Sequence, residues 1–327
     1  MTFSSKNKLS ENDSDEIKKL KISVVIPTHN RHREILNSVE SVFKQTVLPS
    51  ELIVVDDGST PAVSEKIFEN APSKIVVKLL RNETPKGANN ARNKGIIEAI
   101  GNRIAFLDDD DQFLPNKIEE ILKVIEVYGD NIDLIYHRAT INMVNEGVSY
   151  LTKPKNFNVN DNIYKALLIK NQIGGTPMVI AKRSKLIEVG LFDEDLGSLQ
   201  DYELWIRFAK TNSSFHYINK ALTKCNYITK KNSISKSLIN NYESINIIEN
   251  KFKSGYKTLT DLERREHEQW KLKMRINKSL MNKQYKMAVK EQMMMFQRFP
   301  SVKSFLEFLI ILAGPTVSIK IKSIISS

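Results

Sequence analysis

Apolar residues in the first half of the chain fall into short unbroken runs separated by polar segments. Ile22-Ser-Val-Val-Ile26, Leu52-Ile-Val-Val55, Ile75 to Leu80 and Ile104 to Leu107 are aliphatic almost throughout, the signature of strands buried on both faces. Between them the spacing becomes helical. Ile35, Leu36, Val39, Val42 and Phe43 recur at intervals of three and four. Ala88 to Ile100 and about Pro115 to Tyr128 read as two further helices, Pro115 standing where a first-turn proline is tolerated. A strand over Asp133–His137 follows. This alternation predicts an α/β domain with a mostly parallel central sheet flanked by helices. Open sheets of this kind bind ligands at the carboxyl ends of their strands. That rule gathers Pro27-Thr-His-Asn-Arg31, Asp56-Asp-Gly-Ser59 and Asp108-Asp-Asp-Asp111 into one crevice, although the sequence separates them.

Beyond about residue 150 the pattern is less regular. Gly174-Gly-Thr-Pro177 reads as a turn, Met178–Ala181 as a short strand, and Arg183–Val189 as a short helix closed by Gly190. Gln200–Lys210 is a helix with Leu204, Trp205 and Phe208 on one face, and Thr229–Ser237 is loop-like. From Ile239 to Phe299 the chain is helical and charged. Phe305–Ile325 is strongly apolar but interrupted by Glu307, Gly314, Pro315, Lys320 and Lys322. Its uncharged stretches fall short of the roughly 20 apolar residues that a bilayer span needs. The expected organisation is a mobile arm over residues 1–20, a main domain over 21–240 and a basic helical extension over 241–327.

Composition adds exclusions. With 327 residues, 41% hydrophobic and 27% charged, the chain is of ordinary globular type. The single Cys225 excludes an intrachain disulfide framework and Cys-rich metal sites, so a cytoplasmic setting is expected. The polar first 21 residues do not read as a secretory signal. The formal net charge of +11 is uneven: residues 241–327 carry 16 Lys/Arg against 8 Asp/Glu, and residues 1–240 carry 33 against 30. A basic surplus suits nucleic acid, an anionic membrane surface or a phosphorylated ligand.

The run Asp108-Asp-Asp-Asp111 after a buried strand is the strongest chemical signal. Four adjacent carboxylates repel one another unless a cation or donor-rich ligand offsets them. Mg²⁺ or Mn²⁺ carrying a diphosphate does so; a solvated acidic turn is the plain alternative. Asp56 and Asp57 end the second strand, where a carboxylate accepts from a ribose hydroxyl or base N–H, or simply starts an Asp-Gly turn. No G-x-G-x-x-G follows the first strand, which argues against a nicotinamide fold.

Five segments in order, SVVIPTHNR (23–31), ELIVVDDGST (51–60), Gly87 to Ile96 with Ala91-Arg-Asn93, AFLDDDDQFLP (105–115) and EVGLFDEDLGSLQDYELWIR (188–207), resemble glycosyltransferase family 2, inverting nucleotide-sugar transferases of GT-A fold. The resemblance covers roughly residues 20–240. It implies that Pro27, Thr28, Asn30 and Arg31 border the nucleotide, that Asp57 binds the base, most often uracil, and that Arg92 lies near the phosphates. It makes Asp108 and Asp110 a D-x-D motif, with Asp109 at the nucleotide sugar, Asp110 ligating Mn²⁺ or Mg²⁺ and Asp111 beside it. Asp201 falls at the catalytic base. Arg92 as a surface helix residue and Asp201 as a helix N-cap remain the alternatives.

Three positions depart from the family pattern: Gln200 replaces a common Glu, Pro61 a common Asp, and Lys230 and Lys231 stand near a loop that often carries His. Either lysine could meet the diphosphate as a point charge but could not ligate a metal when protonated. The implied reaction is transfer from a UDP-sugar to a hydroxyl of a saccharide acceptor in bacterial surface polysaccharide synthesis. A lipid-linked acceptor would suit a terminal segment that lies on the cytoplasmic membrane face, with Lys303, Lys320 and Lys322 at anionic headgroups; packing on the core is the alternative. A non-catalytic sugar-nucleotide scaffold and a nucleic-acid-binding protein are the competing classes. The acidic crevice and the lack of nucleic-acid signatures oppose the second.

Overall fold

A computed structural model of the protein describes residues 20–229 and 238–326. The first four strands, β1 (Ile22–Thr28), β2 (Glu51–Asp57), β3 (Val76–Asn82) and β4 (Arg103–Phe106), are parallel in the spatial order β3-β2-β1-β4. Their pleat divides the core. Val25, Ile53 and Val55 face one side, while Val24, Ile26, Leu52 and Val54 face the other. Helix α1 (Glu34–Phe43) covers the second side with Ile35, Val39 and Val42, and α2 (Ala88–Glu98) covers the first with Ala91 and Ile96. A Cβ at Gly95 would stand 2.5 Å from Val25 Cγ1, so α2 approaches β1 this closely only through glycine.

The rest of the sheet is mixed. β5 (Gln112–Phe113) precedes α3 (Lys117–Tyr128), whose Ile118, Ile121 and Ile125 join the second core. Then come β6 (Leu134–Met143), β7 (Val148–Leu151), α4 (Ile163–Ile169), β8 (Val179–Lys182), α5 (Arg183–Glu188), α6 (Gln200–Lys210) and β9 (Phe215–Tyr227). β8 is antiparallel to β4 and to β6, β9 is parallel to β6, and β5 and β7 pair antiparallel with β9 and β6. The parallel character is therefore concentrated in the first four strands. Antiparallel neighbours need no long crossover, and the connections here are correspondingly irregular.

Six helices complete the described chain: α7 (Leu238–Lys251), α8 (Lys253–Lys257), α9 (Asp261–Met281), α10 (Tyr285–Arg298), α11 (Val302–Leu312) and α12 (Pro315–Ser326). Ile248, Phe252 and Leu259 enter the same core as Leu204, Trp205 and Phe208 of α6, so the core continues past residue 240. Helix α9 starts at a capping box in which Thr260 and Glu263 satisfy each other's backbone N–H groups. Its Leu272, Ile276 and Leu280 meet Ala288 and Met295 of α10, Phe299 just beyond it and Ile311 of α11. Met281 and Ile319 pack with Ala139, Ile141, Met178 and Cys225. Among the described residues no helix is long and apolar enough to cross a membrane.

Candidate active site

The three polar strand ends meet. Asn30, in the left-handed region at φ 54°, accepts from Thr60 N–H at 2.8 Å through Oδ1, and its own N–H donates to Ser59 Oγ at 2.9 Å. Thr28 Oγ1 donates to Asp109 Oδ2 at 2.8 Å. Arg31 reaches Asp109 at 2.9 Å and Asp110 at 2.5 Å. Pro27 is buried in β1, so of the first loop Asn30 and the partly exposed Arg31 remain at the crevice.

The four aspartates alternate. The side chains of Asp108 and Asp110 are 32% and 36% exposed, whereas Asp109 and Asp111 are buried at 6% each. The turn is fixed from beneath: Ser38 Oγ donates to Asp111 O at 2.7 Å, Asn226 N–H to Asp111 Oδ1 at 2.9 Å, and Asn226 Nδ2 to Asp110 O at 2.8 Å. Asp109, expected at the nucleotide sugar, instead turns inward as the strap that holds Thr28 and Arg31. Burial raises its carboxyl to about 6, with Arg31 and Thr28 opposing. Burial also raises Asp110, against Arg31 and with repulsion from Asp108, and raises Asp111 well above the ordinary value. Under the turn, Lys117 is wholly buried. It donates to the Pro177 carbonyl at 2.8 Å and lies 3.7 Å from the Phe113 ring centre, and burial lowers its pKa well below that of a free lysine.

Asp57 is buried and well supplied with donors. Asn82 Nδ2 and Lys86 N–H bind its Oδ1 at 2.8 and 2.9 Å, and Gly87 N–H binds Oδ2 at 2.7 Å, so it anchors the loop leading into α2. Gly58, at φ 68°, lets the two loops touch; a Cβ there would fall 2.7 Å from Pro85 N. Arg92 is not a surface residue: it is 5% exposed, donates to Asp108 Oδ1 at 2.7 Å and lies over Phe192 at 5.6 Å.

Asp201 lies in the first turn of α6, while Leu199 holds the N-cap position. Its Oδ1 accepts from Tyr202 N–H at 2.7 Å, which is not N-cap geometry. A Cβ on Gly175 would be 3.6 Å from Asp201 Oδ2, and Trp205 Nε1 donates to Gly174 O at 3.0 Å, so the glycine turn is tied to the helix. Burial raises Asp201 to about 6; Arg92 opposes this and Asp108 adds to it. Asp201 therefore lies within the fields of Arg92 and Asp108, which are themselves paired. Lys230 and Lys231 lie outside the described residues.

One contributor escaped the sequence reading. Asn226 lies on β9, which was not recognisable because Asn219, Lys220 and Lys224 interrupt its apolar pattern. Among the described residues no three His, Cys, Asp or Glu side chains are grouped to hold a metal alone. Asp108 and Asp110 are both partly exposed carboxylates, and each is paired with an arginine, Arg92 and Arg31 respectively.

The comparisons place the chain among the glycosyltransferases. The profile of Glycosyl transferase family 2 matches residues 23–189, and the chain belongs to that family. It is 33% identical over 309 residues to an uncharacterized glycosyltransferase of Haemophilus influenzae, covering 92% of this chain and 98% of that one. It is also 33% identical over 218 residues to the Escherichia coli UDP-Glc:alpha-D-GlcNAc-diphosphoundecaprenol beta-1,3-glucosyltransferase WfgD, covering 67% of this chain and 79% of WfgD. The fold matches Staphylococcus aureus TarS 1–349 with a TM-score of 0.55 at 19% identity, over 91% of this chain and 81% of TarS 1–349. TarS structures with UDP and with UDP-GlcNAc align with TM-scores of 0.53 and 0.54.

Proposed function

We propose that the protein moves a sugar, with inversion, from a UDP-sugar to a hydroxyl of a lipid-diphosphate-linked saccharide, with Asp201 as general base. The observation that carries this reading is Asp201 itself: a carboxylate raised to about 6, set against the glycine turn at Gly175 and within the fields of the paired Arg92 and Asp108. Such a carboxylate is mostly ionised at neutral pH yet more basic than an ordinary aspartate, which suits proton removal from an attacking hydroxyl. Asn30, Asp57 and Arg31 border the nucleotide side, and Arg92 meets the phosphates. Asp108 and Asp110 would hold Mn²⁺ or Mg²⁺, which when bound supplies Lewis-acid stabilisation of the departing diphosphate. Attack from the face opposite the leaving group inverts the anomeric carbon in one displacement.

The acceptor class rests on WfgD, whose name specifies a diphosphoundecaprenol-linked acceptor, and on the outer face of α11. Val302, Phe305, Leu306, Leu309 and Leu312 are all exposed there, with Lys303 beside them. An apolar helix face bordered by cations enters an anionic interface readily. Residues 303–327 would thus hold the enzyme peripherally at the cytoplasmic membrane face.

A panel of nucleotide sugars screened by thermal shift with Mn²⁺, followed by a transfer assay on the stabilising donors, tests the reading, because a ligand that binds the native state raises its stability. A UDP-sugar that stabilises the protein and is consumed supports it. Binding without transfer to any saccharide would leave the scaffold reading, and tight nucleic-acid binding with no donor response would replace it.

A further inference from the structure

Lys117, the first residue of α3, is a buried cation to which the reaction proposed above gives no part. Its Nζ donates to the Pro177 carbonyl at 2.8 Å and to Thr223 Oγ1 at 3.2 Å, and it lies over the Phe113 ring. Thr223 Oγ1 donates to the same Pro177 carbonyl at 2.8 Å, so one oxygen is held from α3 and from β9 together. Pro177 closes the turn Gly174-Gly-Thr-Pro177. The far side of that turn meets Asp201: a Cβ on Gly175 would stand 3.6 Å from both Asp201 Oδ2 and Pro177 Cδ, and Trp205 of α6 donates to Gly174 O at 3.0 Å. The near side is tied to the acidic turn. Phe113 pairs with Thr223 across β5 and β9, and Asn226, further along β9, holds Asp110 and Asp111. Lys117 thus stands at the joint between the acidic turn and the glycine turn.

We propose that Lys117 is a positioning residue for Asp201: through the Pro177 carbonyl it keeps the glycine turn seated against the carboxylate and so fixes the separation of Asp201 from the acidic turn. This rests on the reading of Asp201 as base. Lys117 is 0% exposed, and its near partners are a carbonyl, a hydroxyl and a ring face, none of them charged. Burial opposes its ammonium, and Cys225 and Asp111 offset that only in part. An apolar side chain would fill such a site at lower cost, whereas directed N–H bonds to the carbonyl and the hydroxyl give the glycine turn one position relative to α3. In a displacement the attacking hydroxyl, the anomeric carbon and the leaving diphosphate must lie in line, and small misplacements of the groups that hold them are costly. A clamp between the acidic turn and the turn that touches the base acts on that alignment without touching substrate.

The test uses Lys117→Met and Thr223→Val in the full chain, each of which removes one donor to the Pro177 carbonyl at similar volume, and Lys117→Met combined with Asp201→Asn. One arm measures UDP release from UDP-glucose and UDP-GlcNAc with Mn²⁺, together with UDP affinity. The other needs no donor: the indole N–H resonance of Trp205, told from that of Trp270 by Trp270→Phe, reports the bond to Gly174 O. Lys117→Met is expected to lower kcat about tenfold, a part of the roughly 10²-fold that a misplacement of about 1 Å costs. UDP affinity and the urea midpoint should stay near the parent, and the Trp205 resonance should move. Thr223→Val should show the same pattern to a smaller extent, and Lys117→Met should add no loss to Asp201→Asn. A parental kcat in Lys117→Met, an unmoved Trp205 resonance or weakened UDP affinity would overturn the proposal. If the Met protein does not fold, Lys117→Gln takes its place, and failure of both to fold would overturn the proposal in favour of a purely structural lysine. Full activity in Asp201→Asn would instead sink the base assignment, while the Trp205 resonance would still report whether Lys117 sets the glycine turn.

Discussion

Replacing Asp201 by asparagine should remove catalysis and make the protein more stable at neutral pH. The folded-state carboxyl is raised from 3.8 to about 6, chiefly by burial. In the unfolded chain it ionises near 3.8, so between these values the unfolded state binds fewer protons and stability falls as pH rises. With about 1.36 kcal/mol per pKa unit, the penalty reaches roughly 3 kcal/mol at pH 7 and about half that at pH 5. Asp201 is partly exposed as a residue, which makes these figures ceilings. Asparagine keeps the oxygen that accepts from Tyr202 N–H and carries no charge, so the variant should escape the penalty. Urea unfolding of both proteins at pH 5, 6, 7 and 8 checks this: the stability gain should grow with pH and level off above about 6.5. A gain independent of pH, or a loss at pH 7, would refute the claim that an ionised, buried carboxylate stands there.

Asp110→Ala should weaken metal-dependent UDP binding by more than about 100-fold, since even outer partners of a metal site cost 10–100-fold; titration calorimetry with and without Mn²⁺ measures it. Thr28→Val removes one donor from the buried Asp109 carboxylate and should cost about 1–3 kcal/mol in urea unfolding, most at high pH, where that carboxylate is charged. Leu306→Glu with Leu309→Glu should abolish cosedimentation with vesicles containing anionic lipid while leaving thermal stability nearly unchanged, because both side chains are already exposed.

β1, β2 and β4 were readable because they are short aliphatic runs, buried throughout and bounded by polar segments, and β3 because its run is equally short although it lies half-exposed at the sheet edge. Gln200–Lys210 matches the observed α6 end to end, since the Leu204, Trp205 and Phe208 face is unbroken. β9 was not readable. Its thirteen residues alternate incompletely, and a register shift against β6 near Arg138 breaks the pattern further. The strand-end rule placed the three polar loops together but could not say which carboxylates face outward. That depends on donors from distant elements: Thr28 and Arg31 turn Asp109 inward, and Asn226 and Ser38 fix Asp111.

The placement of α9 also changes the meaning of the basic C-terminal quarter. Ile248, Phe252 and Leu259 are 1%, 2% and 3% exposed and share the core of α6, with Trp270 beside Tyr202. Burying each such side chain contributes roughly 1.5–3 kcal/mol, so removing residues 241–327 forfeits an amount comparable with the 5–15 kcal/mol that holds a typical domain folded. That truncation should yield insoluble or unfolded protein. Removing only residues 301–327 takes Ile311 and Ile319 from the buried apolar set and leaves α9 in place. The shorter deletion should therefore remain folded in circular dichroism, keep UDP binding and lose vesicle binding. A folded, active protein ending at residue 240 would show that the helices are an appendage. Failure of both truncations to fold would show that α11 and α12 are structural, and the exposed apolar face would then need another explanation than a membrane.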